Sequence, residues 1–206
     1  MHKKDLWLAV LILVVGVIVY MRNPLFISPI NLGNTANLIG LFGLFAIGQA
    51  FVIMTGGIDL SVGSMIALLG VLFVELVGRL GVPWPLAIMI AVMAGTLMGL
   101  AHGLLITKLK MQPFVVTLCG LLIYRGVARG YTGEATAGFP FGASFPGLEW
   151  VTIGRTLGVP HSFIAMLVLG VVAWFVLHRS VYGRHLYAVG KNEEAARFSG
   201  VRTDLV

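Results

Sequence analysis

The sequence predicts an all-α fold: a polytopic bundle of about six transmembrane helices, with one helix broken or re-entrant near Gly56–Asp59. The first observation behind this prediction is composition. Of 206 residues, 58% are hydrophobic and only 11% are charged, whereas about a quarter of a soluble domain is charged. The second is that apolar runs of membrane-spanning length recur along the chain. The third is a polar, glycine-rich segment with a carboxylate between two of these runs.

Six apolar runs are long enough, or nearly so, to cross about 30 Å of hydrocarbon as helices. They cover residues 6–21, 35–54, 61–77, 84–107, 114–129 and 161–177. Pro24, Pro29 and the asparagines that follow them predict a turn-rich link before the second run. Between the fifth and sixth runs, residues 130–160 contain seven glycines and three prolines. This composition predicts a long extramembrane loop with partial order.

The distribution of Lys and Arg predicts the orientation, because cytoplasmic loops carry an excess of both residues. The count favours a cytoplasmic amino terminus, a cytoplasmic residue 206 and a periplasmic loop at residues 130–160. Nine of the fourteen Lys and Arg residues then lie on the cytoplasmic side, namely Lys3, Lys4, Lys108, Lys110, Arg179, Arg184, Lys191, Arg197 and Arg202. The net charge of +6 therefore reflects membrane orientation and does not indicate a nucleic-acid partner.

The segment at residues 55–64 interrupts the second and third runs. Gly56 and Gly57 predict the end of one helix, because glycine leaves right-handed helical geometry at little cost. Asp59 or Ser61 can cap the helix that follows. A carboxylate in this position is functional by default, and a broken helix persists at membrane depth only when protein buries it or it lines a wet cavity. An ordinary interfacial turn at the cytoplasmic end is the alternative.

Few other polar side chains interrupt the apolar runs. Gln49 either hydrogen-bonds a neighbouring helix or lines a pathway. Glu75 and Arg79 have the spacing of an i,i+4 ion pair, and the lone His102 is interpreted as structural. The only cysteine, Cys119, lies in an apolar run with no neighbours that suggest a metal site or a nucleophile. The sequence predicts no catalytic residue and no metal site.

The fourth run carries glycines at successive i+4 positions, Gly95, Gly99 and Gly103. This spacing places a flat strip on one helix face, where another helix can approach closely. The strip is therefore predicted to serve helix packing.

Residues 54–64 read Met-Thr-Gly-Gly-Ile-Asp-Leu-Ser-Val-Gly-Ser. This run resembles the signature of inner-membrane permease subunits of bacterial sugar ABC importers of the ribose, xylose, arabinose and galactose type. A match of this length is far more specific than a lone glycine motif. The resemblance implies that the broken helix shapes a translocation path. The candidate path residues are Gln49, Gly56, Gly57, Asp59, Ser61 and Ser64.

After the last run, residues 183–206 turn polar, and part of this segment predicts a short helix. Asn192 is a good N-cap, acidic residues occupy the first turn, and Gly200 is a natural C-cap. Residues 190–200 resemble the EAA-type loop of ABC importer permeases, in which a short cytoplasmic coupling helix docks on the ATP-binding subunit. The coupling candidates are Asn192, Glu193, Glu194, Ala195, Ala196, Arg197, Ser199 and Gly200.

The resemblance also implies partners and a location. The chain lacks the phosphate-binding motif G-x-x-x-x-G-K-[ST], so ATP is expected on a separate cytoplasmic ATP-binding subunit, and no cofactor is expected here. The other implied partners are a periplasmic sugar-binding protein, a second permease subunit in a homo- or heterodimer, and membrane lipid. Members of this family continue past the coupling helix with further spans. Residues 1–206 are therefore expected to form the amino-terminal part of a multi-pass permease domain in the bacterial inner membrane.

Two alternatives remain at this point. An ion- or proton-coupled secondary transporter would use Asp59 and Glu75 as coupling carboxylates, and such folds often contain inverted repeats and broken helices. However, no second copy of the Gly-Gly-Ile-Asp run is present. The other alternative is a non-functional truncated membrane fragment.

Overall fold

Helices dominate the computed structural model, which describes residues 3–205. The long helices are α1 (Lys3–Arg22), α2 (Pro29–Met54), α3 (Val62–Val74, continued by a π-helical turn at Glu75–Arg79), α4 (Trp84–Thr107) and α5 (Pro113–Thr132). They are followed by α6 (Pro146–Ile153), the strands β1 (Arg155–Thr156) and β2 (Val159–Pro160), then α7 (His161–Arg179), α8 (Val181–Lys191) and α9 (Glu193–Phe198). Short 3-10 turns lie at Pro24–Ile27 and Thr203–Leu205. The predicted placements of residues 1 and 206 fall outside the described residues.

Six of the described helices are long and apolar enough to cross a membrane: α1, α2, α3 with its π-turn, α4, α5 and α7. This confirms the prediction of an all-α bundle of about six spans. Many of their large apolar side chains are exposed, such as Leu13 at 69% and Phe42 at 68%. Apolar surface of this extent is typical of a face that contacts lipid.

The second membrane helix begins earlier than the sequence predicts. It starts at Pro29, and residues 29–34 are helical instead of forming a turn-rich link. The Ser28 Oγ accepts a hydrogen bond from the Asn31 backbone N–H at 3.3 Å, which caps the first turn. A proline at the first helical position loses no needed hydrogen bond. Together these features shorten the link to the single 3-10 turn.

The chain divides into two compact units, and the first contains residues up to Leu44 together with Glu149–Val168. Within it, the amino-terminal part of α2 packs closely on the start of α7. Gly40 lies against the Ser162–Phe163 backbone, and the Ser162 Oγ donates a 2.7 Å hydrogen bond to Asn37 Oδ1. The Arg155 guanidinium donates to Asn34 Oδ1 at 3.0 Å. The asparagines of α2 therefore hold the loop that precedes α7.

The predicted loop at residues 130–160 contains regular structure in its second half. It includes α6 and a two-stranded hairpin in which Arg155 pairs with Pro160. His161 fixes this region, because its Nδ1–H donates to the Trp150 carbonyl at 2.6 Å and its Nε2 accepts from Thr156 Oγ1 at 2.8 Å. Local side-chain bonds of this kind order a segment whose glycines and prolines indicate only a loop.

The second unit comprises Phe45–Leu148 and Leu169–Val206. Here α3 packs on both α4 and α5, and α8 packs on α9. The helix α8 is not predicted from the sequence. The Ser180 Oγ caps it by accepting from the Gly183 N–H at 3.1 Å, and Leu186 is only 1% exposed. Near its end, Gly190 lies directly against the carbonyl oxygen of Met54, the last residue of α2. This contact joins α8 to the end of a membrane helix.

Gly190→Ala is expected to lower the thermal unfolding temperature of the purified chain. Its new methyl group would overlap the Met54 carbonyl, a backbone atom that cannot rotate away, and overpacking of this kind typically costs about 1–3 kcal/mol. Gly99→Ala is the matched control, because no described atom lies within 4 Å of a β-carbon at that position. The control should be neutral or stabilising, since alanine favours helix by about 1 kcal/mol over glycine. Equal unfolding temperatures for the two variants would contradict the close contact.

Candidate functional site

The break between α2 and α3 begins with a tight turn. Gly56 has a φ of +82°, a conformation that glycine adopts without strain. The Gly56 N–H donates to the Ile53 carbonyl at 3.0 Å, and the Gly57 N–H donates to the Val52 carbonyl at 3.1 Å. The two glycines therefore end α2, as the sequence predicts.

After this turn the backbone runs back into the bundle. The Gln49 Nε2 donates to the Asp59 carbonyl at 3.1 Å. The Thr117 Oγ1, whose closer acceptor is the Pro113 carbonyl at 2.8 Å, also lies 3.2 Å from the Ile58 carbonyl. Gln49 lies five residues before the end of α2, and Thr117 lies four residues after the start of α5. At 1.5 Å per residue, both donors lie roughly 6–8 Å inside the helix ends. The break is therefore re-entrant, and α3 begins at a recessed level.

The Asp59 carboxylate forms the cap of α3. Its Oδ1 accepts from the Ser61 N–H at 2.8 Å and from the Ser61 Oγ at 2.6 Å. Ser61, although it directly precedes α3, makes no side-chain cap bond. The Ser64 Oγ donates to the Ser61 carbonyl at 2.7 Å. Of the two capping candidates that the sequence offers, the structure selects Asp59, whose negative charge faces the positive end of the helix.

A chain of hydrogen bonds leads from this cap into α4 and α5. Ser61 is fully buried and His102 is 8% exposed. The Ser61 Oγ lies 3.5 Å from His102 Nδ1, and His102 Nε2 lies 3.0 Å from the Tyr124 hydroxyl. Because the Ser61 hydroxyl hydrogen is directed to Asp59, Ser61 accepts from His102 Nδ1–H, and Nε2 accepts from Tyr124. Each group thus donates to the next one in a single direction, from Tyr124 through His102 and Ser61 to the Asp59 carboxylate.

These partners of His102 are not predicted from the sequence, in which the histidine is interpreted only as structural. Gly120 makes room for the imidazole, since a β-carbon there would lie 2.6 Å from His102 Nε2. Gly120 and Tyr124 are four residues apart on one face of α5. That pairing of a small and a hydrogen-bonding residue is the only signal in the sequence, and many transmembrane helices share it.

Gln49 has an unfilled hydrogen-bonding position. Its Nε2 is engaged by the Asp59 carbonyl, while its Oε1 is buried and has no hydrogen-bond partner among residues 3–205. Rotating the amide by 180° would set two oxygens against each other, so the assignment follows from the Asp59 contact. A buried acceptor without a partner is costly, at about 1–3 kcal/mol. Gln49 therefore offers an acceptor to a hydroxyl or amide donor.

The remaining candidate groups of the membrane helices are dispersed. Glu75 pairs with Arg79 at 3.1 Å in the π-turn that ends α3. Gly95 faces Leu69 of α3, whose Cδ1 would lie 3.1 Å from a β-carbon there, whereas positions 99 and 103 meet no described atom within 4 Å. Within the described part of the chain, no three His, Cys, Asp or Glu residues are grouped as metal ligands. Only the first glycine of the strip thus packs on another described helix.

The short helix α9 has well-defined ends. The Asn192 Oδ1 accepts from the Ala195 N–H at 2.9 Å, which is an N-cap. At the other end, Gly200 has a φ of +85°. The Val201 N–H donates to the Ala196 carbonyl at 3.1 Å, and the Gly200 N–H donates to the Arg197 carbonyl at 3.0 Å. This pattern is a Schellman motif, so a helix of only six residues is closed at both ends.

Burial divides the residues of α9 into two sets. Ala196 is 5% exposed and packs inside the chain, while the other residues from 191 to 200 are exposed. Phe198 is 91% exposed, which is unusual for an aromatic side chain. The outward face of α9 is therefore formed by residues around Phe198, and the buried side chain of Ala196 packs the helix against the rest of the chain.

Comparison with known proteins identifies the family. Residues 31–206 match the family described as "Branched-chain amino acid transport system / permease component". The chain belongs to this permease family. No solved structure matches it.

Individual relatives of this permease carry the names of sugar transport proteins. The ribose import permease protein RbsC of Bacillus subtilis (strain 168) is 40% identical over 207 residues, covering 100% of this chain and 62% of the relative. The galactofuranose transporter permease protein YtfT of Escherichia coli (strain K12) is 35% identical, covering 92% of this chain and 53% of the relative. The xylose transport system permease protein XylH of the same strain is 28% identical, covering 98% and 67% respectively. The chain thus spans less than two thirds of the ribose permease.

Tyr124→Phe is expected to lower the thermal stability of the permease in detergent. The substitution removes the hydroxyl that donates to His102 Nε2 and leaves a buried acceptor unpaired, at a cost of about 1–3 kcal/mol. Tyr20→Phe in α1 is the control, because Tyr20 is 44% exposed. A loss of stability in both variants, or in neither, would contradict the hydrogen-bonded chain from Tyr124 to Asp59.

Proposed function

We propose that this chain is a membrane-spanning permease subunit of an ATP-driven importer of monosaccharides. In this function it forms part of the translocation path and couples to a separate ATPase subunit. The names of the ribose, galactofuranose and xylose relatives support the substrate class. The observation that carries the coupling role is α9, a six-residue helix that is capped at both ends and almost wholly exposed.

The proposal includes partners and an orientation. The chain lies in the bacterial inner membrane with its amino terminus and residue 206 in the cytoplasm and residues 130–160 in the periplasm. A cytoplasmic ATP-binding subunit docks on the segment at residues 183–206, a periplasmic protein delivers the sugar, and a second permease subunit completes the path. ATP binding moves the docked helices and shifts the path between outward-facing and inward-facing states.

The path residues have distinct roles in this proposal. Gly56 and Gly57 end α2, and Asp59 and Ser61 hold the re-entrant segment in place. Ser64 supports the first turn of α3. When the path opens, Gln49 is the residue suited to contact the sugar, because its Oε1, which is buried in this structure, has no hydrogen-bond partner among residues 3–205 and sugars carry hydroxyl donors. Groups that fix the backbone thus stand next to a group that can bind substrate.

A short physical route supports the transmission of movement from α9 to the path. Asn192 is the only residue between α8 and α9, so the two helices are directly connected. Gly190 of α8 lies against the carbonyl of Met54, and the re-entrant break begins at the next residue. A displacement of α9 by the ATPase would therefore act on the break through two contacts.

The secondary-transporter alternative is not favoured. Asp59 already accepts two hydrogen bonds from Ser61, and Glu75 is paired with Arg79, so neither carboxylate is poised to exchange a coupling ion. The family to which the chain belongs is described as a permease component of a transport system, which agrees with a separate energising subunit.

Phe198→Ser is expected to abolish, or reduce at least about tenfold, the recovery of a candidate sugar-importer ATPase in a pull-down from membranes. The exposed ring is the largest apolar group on α9, and aromatic anchors commonly cost 2 kcal/mol or more when truncated, or about thirtyfold in affinity. Leu157→Ser is the matched control, since Leu157 is 98% exposed and lies outside the segment 183–206. Equal recovery with wild type and Phe198→Ser would contradict docking on this face.

Ala196→Glu tests the buried side of the same helix. Ala196 is buried, so a charged side chain there would displace α9 instead of altering its outer face. We expect loss of ATPase recovery and of coupled uptake, with membrane insertion intact. Uptake at the wild-type level would show that the position of α9 does not matter for coupling.

Cysteine labelling tests the orientation in a Cys119→Ser background. Phe141→Cys, at a fully exposed site in the segment 130–160, should react with a membrane-impermeant maleimide in intact spheroplasts. Glu194→Cys on α9 should react only after permeabilisation. The reverse pattern would overturn the proposed orientation, and the cysteine-free chain measures background labelling.

A further inference from the structure

A cavity of about 490 Å³ lies between the end of α4 and the chain that follows α9. Residues 107–110 supply one wall and residues 197–204 supply the other, both within the second unit. This volume falls in the range of small-ligand sites, roughly 300–1,000 Å³, and exceeds what a single inorganic ion requires. One wall of the cavity belongs to the segment 183–206 on which the ATP-binding subunit is proposed to dock, whereas the transport proposal gives Lys108 and Lys110 of the other wall no role.

The charge of the cavity is strongly one-sided. Four basic residues line it, Lys108, Lys110, Arg197 and Arg202, against one carboxylate, Asp204. Lys108 and Asp204 form an ion pair, and the hydrogen bond from Lys108 holds the pKa of Asp204 below its usual value. Asp204 therefore stays ionised at neutral pH and occupies Lys108. The charge of Lys110 also acts on Asp204, while Arg197 and Arg202 form no ion pair among the described residues. The lining thus keeps a clear excess of positive charge.

These three cations come from both walls. Lys110 belongs to the loop after α4, and Arg197 and Arg202 belong to α9 and the segment beyond it. Lys110 also has a backbone φ of +55°, a left-handed conformation that long side chains rarely adopt and that persists where the surroundings determine it. A solvated basic surface would spread its charges outward, whereas here they border one concave space.

The position of the cavity indicates which anion fits. The apolar helix α4 crosses the membrane and ends at Thr107, and the basic loop begins at Lys108. The cavity therefore lies at the level of lipid headgroups. A phospholipid can present its phosphate to the cations while its acyl chains remain against the exposed apolar face of α4, which includes Leu100 at 55% and Leu104 at 47% exposed. Basic pockets at cytoplasmic helix ends are suited to anionic headgroups.

We propose that this basic cavity binds the phosphate-bearing headgroup of an anionic phospholipid. A lipid bound there bridges Lys110, which follows a membrane helix, and Arg197 of α9. Anionic lipid would thereby hold α9 in a fixed position relative to the end of α4. The proposal requires only that the chain spans a membrane and does not depend on which solute it transports.

The test is native mass spectrometry of the full chain in detergent, titrated with phosphatidylglycerol or phosphatidylcholine of the same acyl composition. We expect the one-lipid complex with phosphatidylglycerol to form at an at least fivefold lower lipid concentration. The double variant Lys110→Gln/Arg202→Gln should weaken that binding about tenfold or more, since each basic residue near an anionic lipid contributes about fivefold. Lys108 is left intact so that its ion pair with Asp204 continues to shape the cavity.

Two further variants make the result specific. Arg184→Gln/Lys191→Gln removes the same charge from exposed positions of α8 outside the cavity, and it should leave the preference for phosphatidylglycerol within about twofold of wild type. Asp204→Asn removes the only carboxylate of the lining and frees Lys108, so it should strengthen binding about twofold or more. This gain keeps the proposal testable even if the cavity double variant fails to fold.

Several outcomes would overturn the proposal. Equal weakening by both double variants would show general surface electrostatics, and equal binding of the two lipids would show no anion selectivity. Displacement of the lipid by millimolar inorganic phosphate would assign the cavity to a free anion. Unchanged lipid preference in Lys110→Gln/Arg202→Gln, combined with loss of ATPase in the pull-down, would assign the cations to acidic side chains of that partner.

Discussion

The break between α2 and α3 depends on hydrogen bonds that reach its backbone from neighbouring helices. At membrane depth, a carbonyl group without a donor costs several kcal/mol, so irregular backbone requires donors from the bundle. Gln49 supplies one to the carbonyl of Asp59, and the Thr117 hydroxyl, whose closer acceptor is the Pro113 carbonyl, lies 3.2 Å from the carbonyl of Ile58. With these contacts the chain can turn back and start α3 at a recessed level, which creates a polar site among apolar helices of the second unit.

A chain of hydrogen bonds runs from Tyr124 through His102 to Ser61 and Asp59. It links the break to α4 and α5, the two helices that pack on α3. Each donor in this chain is directed towards the Asp59 carboxylate. The bonded groups and the nearby end of α3 therefore stabilise its negative charge. The arrangement fixes α3 against α4 and α5 at one level. Such a fixed region gives the moving parts of a transport protein a rigid support. Gln49 lies next to it, and the buried Gln49 Oε1 has no hydrogen-bond partner among residues 3–205.

In the proposed coupling role, α8 and α9 present a surface to the ATP-binding subunit and transmit its displacement. Both helices are short, and isolated helices of this length are marginal in water. Their stability comes from caps at Ser180 and Asn192, from the buried Leu186, and from the contact of Gly190 with the end of α2. The same contact brings α8 next to the residue where the break begins. The basic cavity lies between the end of α4 and the chain that follows α9.

The sequence by itself determined the class of fold of this protein and the ends of several of its helices. Hydropathy fixes the spans because lipid excludes unbonded backbone, and the glycines, Asp59, Asn192 and Gly200 mark helix ends through local geometry. Local rules could not choose between Asp59 and Ser61 as the cap, nor predict the depth of the break, the burial of Ala196 or the partners of His102. Only tertiary structure decided these, because each depends on which side chain of a distant helix faces the segment. The convergence of basic residues separated by nearly a hundred positions likewise arises from packing alone.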